Sequence, residues 1–148
     1  MTNPPWLDAL ADEAGRMLHL GAPVTFPQPL RALMRTAAPS FALDAARLPE
    51  GRWSSPAPEF GPLGADMADY YRDYEFAEYM PGAWPLALDG SGGFYCLDLR
   101  EVIAGTRAND GSAPVVWSHA GSLGWDDDQC LPITADPATF FEAAVPGP

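Results

Sequence analysis

The sequence predicts an α+β fold: a single domain across residues 1–148, with strands gathered in the second half of the chain and helices at both ends. Three observations carry this. A chain of 148 residues, 47% of them hydrophobic, can bury one full core. Apolar residues recur at helical spacing near the N-terminus and again after Asp136. From Trp84 onward, short runs rich in aromatic and β-branched residues are bounded by Gly, Asp, Asn and Pro, as strands are. Strands that follow one another, without alternating with helices, make an α+β arrangement and not an α/β one.

The first predicted helix covers Trp6 to Leu20. Trp6, Leu10, Ala14, Met17 and Leu18 fall on one face. Asn3 is the expected cap, and the prolines after it suit a helix start. Asp8, Asp12 and Glu13 lie toward the positive end of the dipole, and Gly21 with Pro23 is expected to stop the helix. PQPLRALMRTAA, residues 27–38, predicts a second, shorter helix with Leu30, Leu33 and Met34 as its stripe and Pro39 as its end. Residues 39–64 hold five prolines and few apolar runs, which predicts irregular chain with one short strand near Arg52 to Ser54.

Residues 64–80, GADMADYYRDYEFAEYM, read equally as helix or loop. In a helix, Met67, Tyr71 and Tyr74 would form one face, with Asp66, Asp69 and Asp73 on its neighbour. Pro81-Gly82 closes the segment. The predicted strands are WPLALD, FYCLDLR, PVVWSHA and QCLPIT. In the first, Leu86 and Leu88 alternate with Ala87. In the second, Tyr95, Leu97 and Leu99 alternate with Phe94, Cys96 and Asp98, and the former set is expected to face the core. Asp136 is the expected cap of a closing helix whose apolar face is Phe140, Phe141 and Val145.

Charge narrows the function classes. The net charge is -12, from 20 acidic residues against 8 basic ones. All the basic residues are arginines. Such a chain is repelled by DNA, RNA and anionic membranes and attracted to basic protein surfaces. No run is long enough for a membrane span, and MTNPPWLDALADEAG lacks the basic and apolar regions of a signal peptide. The expected location is the cytoplasm. Cys96 and Cys130 are read as reduced and semi-buried, with their pairing left open.

The stretch DGSGGFYCLDL, residues 89–99, raises the question of a ligand loop. A P-loop requires a lysine, and this chain has none. A dinucleotide fingerprint would need Gly where Tyr95 stands, and a helix where a strand follows. A calcium loop starting at Asp89 would place Gly93 and Phe94 where ligand oxygen and Gly belong, and Arg100 at the twelfth position. What passes each test is a hairpin turn. His19 and His119 stand alone and read as surface or capping residues. Ser118 and His119 are strand neighbours that point apart. Neither a nucleophile–base pair nor a metal-ligand spacing emerges, so no catalytic residue, metal or cofactor is expected.

The most unusual composition lies between Glu59 and Tyr79. Glu59, Asp66, Asp69, Asp73, Glu75 and Glu78 stand against a single Arg72, and Tyr70, Tyr71, Tyr74 and Tyr79 are four of the five tyrosines. Tyrosine gives large contact area at little entropic cost, and carboxylates steer a basic partner. Glu59, Asp66, Asp69, Tyr70, Tyr71, Asp73, Tyr74 and Glu78, with the loop acids Asp126, Asp127 and Asp128, form the candidate partner-binding set. Half-buried tyrosines packed on a sheet, and a merely solvated acidic loop, are the competing readings.

Residues 84–100, WPLALDGSGGFYCLDLR, resemble the signature of the SUKH superfamily, the Smi/Knr-like family that includes bacterial immunity proteins and a yeast cell-wall regulator. The Gly105–Gly111 spacer, PVVWSHA and the final PATFFEAAV continue the likeness over the C-terminal two-thirds. FPQPLRALMRT is similar to an N-terminal family segment but lacks its tyrosine and the Asn-Gly-Gly after it. The resemblance implies an α+β fold with a curved antiparallel sheet, helices packed against it, and no enzymatic activity. Leu86, Gly92, Gly93, Tyr95, Leu97 and Leu99 match as fold residues, and no binding residue carries over. The function it implies is a non-enzymatic immunity protein that neutralises a cognate toxin, often a nuclease, with a scaffold or regulatory module in cell-wall or stress signalling as the alternative.

Overall fold

The computed structural model describes residues 5–34, 41–43, 59–90, 92–142 and 144–146. Its centre is an antiparallel sheet of seven strands in the order β6-β5-β4-β3-β2-β1-β7. These are β1 (Phe41–Leu43), β2 (Glu59–Pro62), β3 (Ala83–Leu88), β4 (Gly93–Asp98), β5 (Val115–His119), β6 (Cys130–Thr134) and β7 (Ala144–Pro146). The helices are α1 (Pro5–Met17), α2 (Gln28–Met34), α3 (Met67–Asp73), α4 (Phe76–Tyr79), α5 (Arg100–Ala104) and α6 (Pro137–Glu142). The α+β class is as the sequence predicts.

Helix α1 buries Leu7, Leu10 and Ala14, with Leu18 just beyond. It ends earlier than Gly21. His19 takes the left-handed conformation at φ 56°, Leu20 N–H reaches Gly15 O at 2.9 Å and His19 N–H reaches Arg16 O at 3.2 Å. That pair of bonds is the Schellman closure, with His in the place usually held by Gly. Gly15 makes room for the returning chain, because a Cβ there would lie 2.0 Å from Ala22 O.

The segment read as irregular contains β1 and β2, paired at Phe41 with Phe60 and Ala42 with Glu59. Three- and four-residue strands carry too little alternation to be read in sequence. Asn3, the end of the second predicted helix and Arg52–Ser54 lie outside the described residues. The ambiguous 64–80 segment forms a short 3₁₀ turn, then α3 and α4, broken at Glu75 with φ 56°.

The alternation expected in β3 and β4 is absent. Leu86 and Ala87 are both fully buried, with an irregularity between Pro85 and Ala87. Phe94 and Cys96 are as buried as Tyr95 and Leu97. The reason is cover from two helical segments: Phe94 meets Tyr70, Tyr74 and Phe76, while its neighbour Tyr95 meets Phe140 on α6. Successive strand residues point to opposite faces, so neither parity of a doubly covered strand reads as exposed. Two further expectations are corrected. Arg100 opens helix α5 and does not continue the strand, and Val145 belongs to β7, paired with Ala42. Asp136 does cap α6, accepting from Thr139 N–H at 2.8 Å.

The DGSGG turn is a hairpin closed by its own aspartate. Asp89 is 7% exposed, and its Oδ1 accepts from Gly93 N–H at 2.8 Å. Gly90 and Gly92 take φ of 82° and 95°, which L side chains rarely adopt. Cys96 on β4 and Cys130 on β6 are both free. Strand β5 lies between them, a separation of about 9 to 10 Å across the sheet, beyond the Cα reach of a disulfide. Both outer strands of the sheet carry a proline, Pro132 in β6 and Pro146 in β7.

Candidate protein-binding surface

Helix α3 is anchored by its apolar side. Met67 and Tyr71 are buried, Tyr71 stacks on Trp84 at 4.9 Å and on Phe76 at 5.9 Å, and Trp84 Nε1–H donates to Met67 Sδ at 3.4 Å. Burial raises the Tyr71 phenol pKa above its ordinary value. Tyr71 therefore packs against the sheet and holds α3 in place. Tyr70 and Tyr74 stack on each other at 5.9 Å and both set an edge against Phe94. Tyr74 remains 40% exposed and Tyr79 53% exposed. Packing and presentation thus divide the tyrosines between them.

Asp66, Asp69, Asp73 and Glu78 are all exposed on this side, as is Glu75. Arg72 is held by two carboxylates, Glu13 at 2.8 Å and Asp69 at 2.5 Å. The hydrogen bond to Glu13 leads in raising the Arg72 pKa. Among the described residues, no ion pair reaches Asp66, Asp73, Glu75 or Glu78. The sequence reading missed Glu13, whose pairing spans 59 positions and leaves no local signal.

Asp126, Asp127 and Asp128 are exposed on the loop before β6. Trp125 fastens the loop to the end of α4 through Nε1–H to Pro81 O at 2.7 Å. The Arg100 guanidinium lies 3.6 Å from the Trp125 ring centroid and binds both carboxylate oxygens of Asp98. This places the loop that carries Asp126–Asp128 beside the turn that follows α4. Glu59 is elsewhere: it sits on β2, which pairs with the Ala87–Leu88 end of β3, whereas Pro81 adjoins the Ala83 end. Those ends are separated by about 16 Å of strand.

Between α1, α4 and α5 opens a cleft of about 360 Å³, lined by Met17, Leu18, Tyr71, Ala77, Pro81 and Ile103, with His19, Gly82 and Arg100. The other candidates are structural. Ser118 is buried and donates to Gln129 O, while His119 is exposed and its Nδ1 accepts from Gly121 N–H. Among the described residues, no group of three His, Cys, Asp or Glu side chains is arranged around a metal position. No helix among them is long and apolar enough to cross a membrane.

Comparison with known proteins places this architecture. No curated protein and no solved structure matches the chain. The SMI1 / KNR4 family (SUKH-1) matches residues 20–143. The span takes in FPQPLRALMRT and α2, the weaker N-terminal part of the resemblance, and α1 lies before it. With most of the chain matched and the sheet-and-helix order in agreement, the protein belongs to the SMI1 / KNR4 family (SUKH-1).

Proposed function

We propose that this chain is a bacterial immunity protein, located in the cytoplasm, that binds a basic toxin domain of nuclease type and blocks it without catalysis. Membership of a family of interaction and immunity domains, generally without catalytic activity, supports the reading at the level of protein–protein recognition. The observation that carries it further is the set of carboxylates on α3, α4 and the 3₁₀ turn before them, Asp66, Asp73 and Glu78, exposed and without an ion pair among the described residues. They stand beside partly open tyrosines whose rings are fixed on the sheet. A nuclease must be basic where it holds the phosphate backbone. A surface of opposite sign can cover that site, speed encounter and compete with nucleic acid.

The test is co-expression with any toxin domain found encoded next to this gene, followed by association kinetics on the purified pair. The chain should relieve toxicity. Association should slow steeply as salt rises, and the triple change Asp66→Asn, Asp73→Asn, Glu78→Gln should slow it and flatten that dependence. Equal association rates at low and high salt would overturn the electrostatic mechanism.

A further inference from the structure

The cleft between α1, α4 and α5 is apolar where the surrounding surface is acidic. Ile103, which lines it, is 38% exposed, and Tyr79, two residues beyond the lining Ala77, is 53% exposed. One wall is rigid before any partner arrives. Asp98 grips Arg100 through Nε at 3.0 Å and Nη2 at 2.9 Å, Arg100 covers Trp125, and Trp125 is bonded to Pro81 O. Gly82 at φ 90° leaves the space this requires, because a Cβ there would sit 2.6 Å from Arg100 Cγ. The opposite wall is Met17 and Leu18, at the end of α1 and outside the family span.

Charge at the rim favours cations. Glu13 stands one turn before Met17, and Arg72 Nη1, bonded to Glu13, lies 4.0 Å from Met17 Sδ. With Asp69, this group of three side chains keeps a net negative charge. Glu78 follows Ala77 with no ion pair among the described residues. The Arg100 charge that faces the cleft is answered by Asp98. A small ligand is oriented by convergent polar groups, and here the guanidinium is already engaged. An apolar socket inside a charged rim is instead the arrangement of a protein hot spot.

We propose that this cleft receives one apolar side chain of the partner protein, flanked by arginine or lysine. This rests on the acidic-surface reading and adds an anchor to it: charge sets the encounter, and the socket sets how long the complex lasts.

The experiment titrates the full chain with short synthetic peptides, observed by NMR on the Met17 and Ile103 methyl groups. One peptide carries Phe between arginines, a second replaces Phe by Ser, and a third replaces the arginines by glutamates. The Arg-Phe-Arg peptide should move both methyl signals and bind about tenfold more tightly than the Ser version. Ala77→Trp and Ile103→Glu, checked for an unchanged backbone spectrum, should remove that difference while every surface acid stays in place.

Equal binding of the Phe and Ser peptides would overturn the socket and leave the acidic surface standing. Equal or tighter binding of the glutamate peptide would overturn the acidic-surface reading itself. Free indole moving the methyl signals when the peptides do not would make this a small-molecule site, and shifts with chain concentration alone would make it a self-association site. Either result overturns the proposal.

Discussion

Trp117 on β5 donates its indole N–H to Asp89 at 2.7 Å, reaching past β4 to a carboxylate at the end of β3. The other oxygen of Asp89 holds Gly93 N–H. One buried carboxylate thus ties the turn to a third strand. Bonds to a charged acceptor contribute about 1.5 to 3 kcal/mol, and orphaned donors add their desolvation penalty. Asp89→Ala should cost about 3 kcal/mol by urea unfolding. Asp89→Ala combined with Trp117→Phe should cost less than the two single changes summed, by about 1 kcal/mol. Strict additivity would show that this bond contributes nothing.

Gly93 faces the same pair. A Cβ there would lie 2.1 Å from Trp117 Nε1 and 2.6 Å from Asp89 Oδ2. Gly93→Ala should therefore lower stability by about 2 to 3 kcal/mol, through overpacking and a displaced hydrogen bond. The readout is a thermal melt alongside partner binding. A variant with an unchanged melting temperature and lost binding would return the glycine turn to the list of binding sites.

Arg72 gives a prediction of opposite sign to the acids. It is the cation among the carboxylates of α3, and it bridges α3 to Glu13 on α1. Arg72→Gln should speed association with a basic partner at low salt, by a few-fold, while changing stability little because the pairs are exposed and screened by solvent. Stopped-flow rates and a denaturation curve separate the two effects. A slower association would mean that Arg72 itself touches the partner.

The thiols should titrate late. Burial pushes Cys130 up to about 11 and Cys96 well above its ordinary value. A folded-state pKa raised above the unfolded one adds stability that is complete below the unfolded value, about 8.5, and is lost as pH rises through 11. Unfolding midpoints should therefore fall as pH rises from about 8.5 toward 11, and Cys96→Ala with Cys130→Ala should flatten that fall. Native protein at pH 8 should react with a thiol reagent far more slowly than protein in urea. Equal rates would place the thiols at the surface.

The sheet was legible in sequence where strands are longest and bounded by Gly and Asp. β3 to β6 appear in order, and the Asp136 cap is where the side chain predicts it. Three kinds of feature escaped, each for a physical reason. β1 and β2 are too short to show a period, and they depend on pairing partners far along the chain. β4 buries both parities under separate helices, so its pattern could not name an inner face. His19 closes α1 in a conformation that composition assigns to Gly21. Of the surface, the acids of α3 and α4 were visible as a composition, and their exposure agrees with it. The placing of the Asp126–Asp128 loop beside the turn after α4 depends on the Trp125–Pro81 bond across 44 positions, and the position of Glu59 at the far end of β3 on the strand register. Neither leaves a local trace.

Proline at both ends of the sheet bears on how the chain behaves in a crowded cell. An outer strand is a template for another chain, and each proline removes one donor from that template. Pro132 and Pro146 thus break the run of amides on which a fibril or strand-swapped dimer would grow. Together with a net charge of -12, which makes copies of the chain repel one another, this disfavours edge-to-edge joining of sheets.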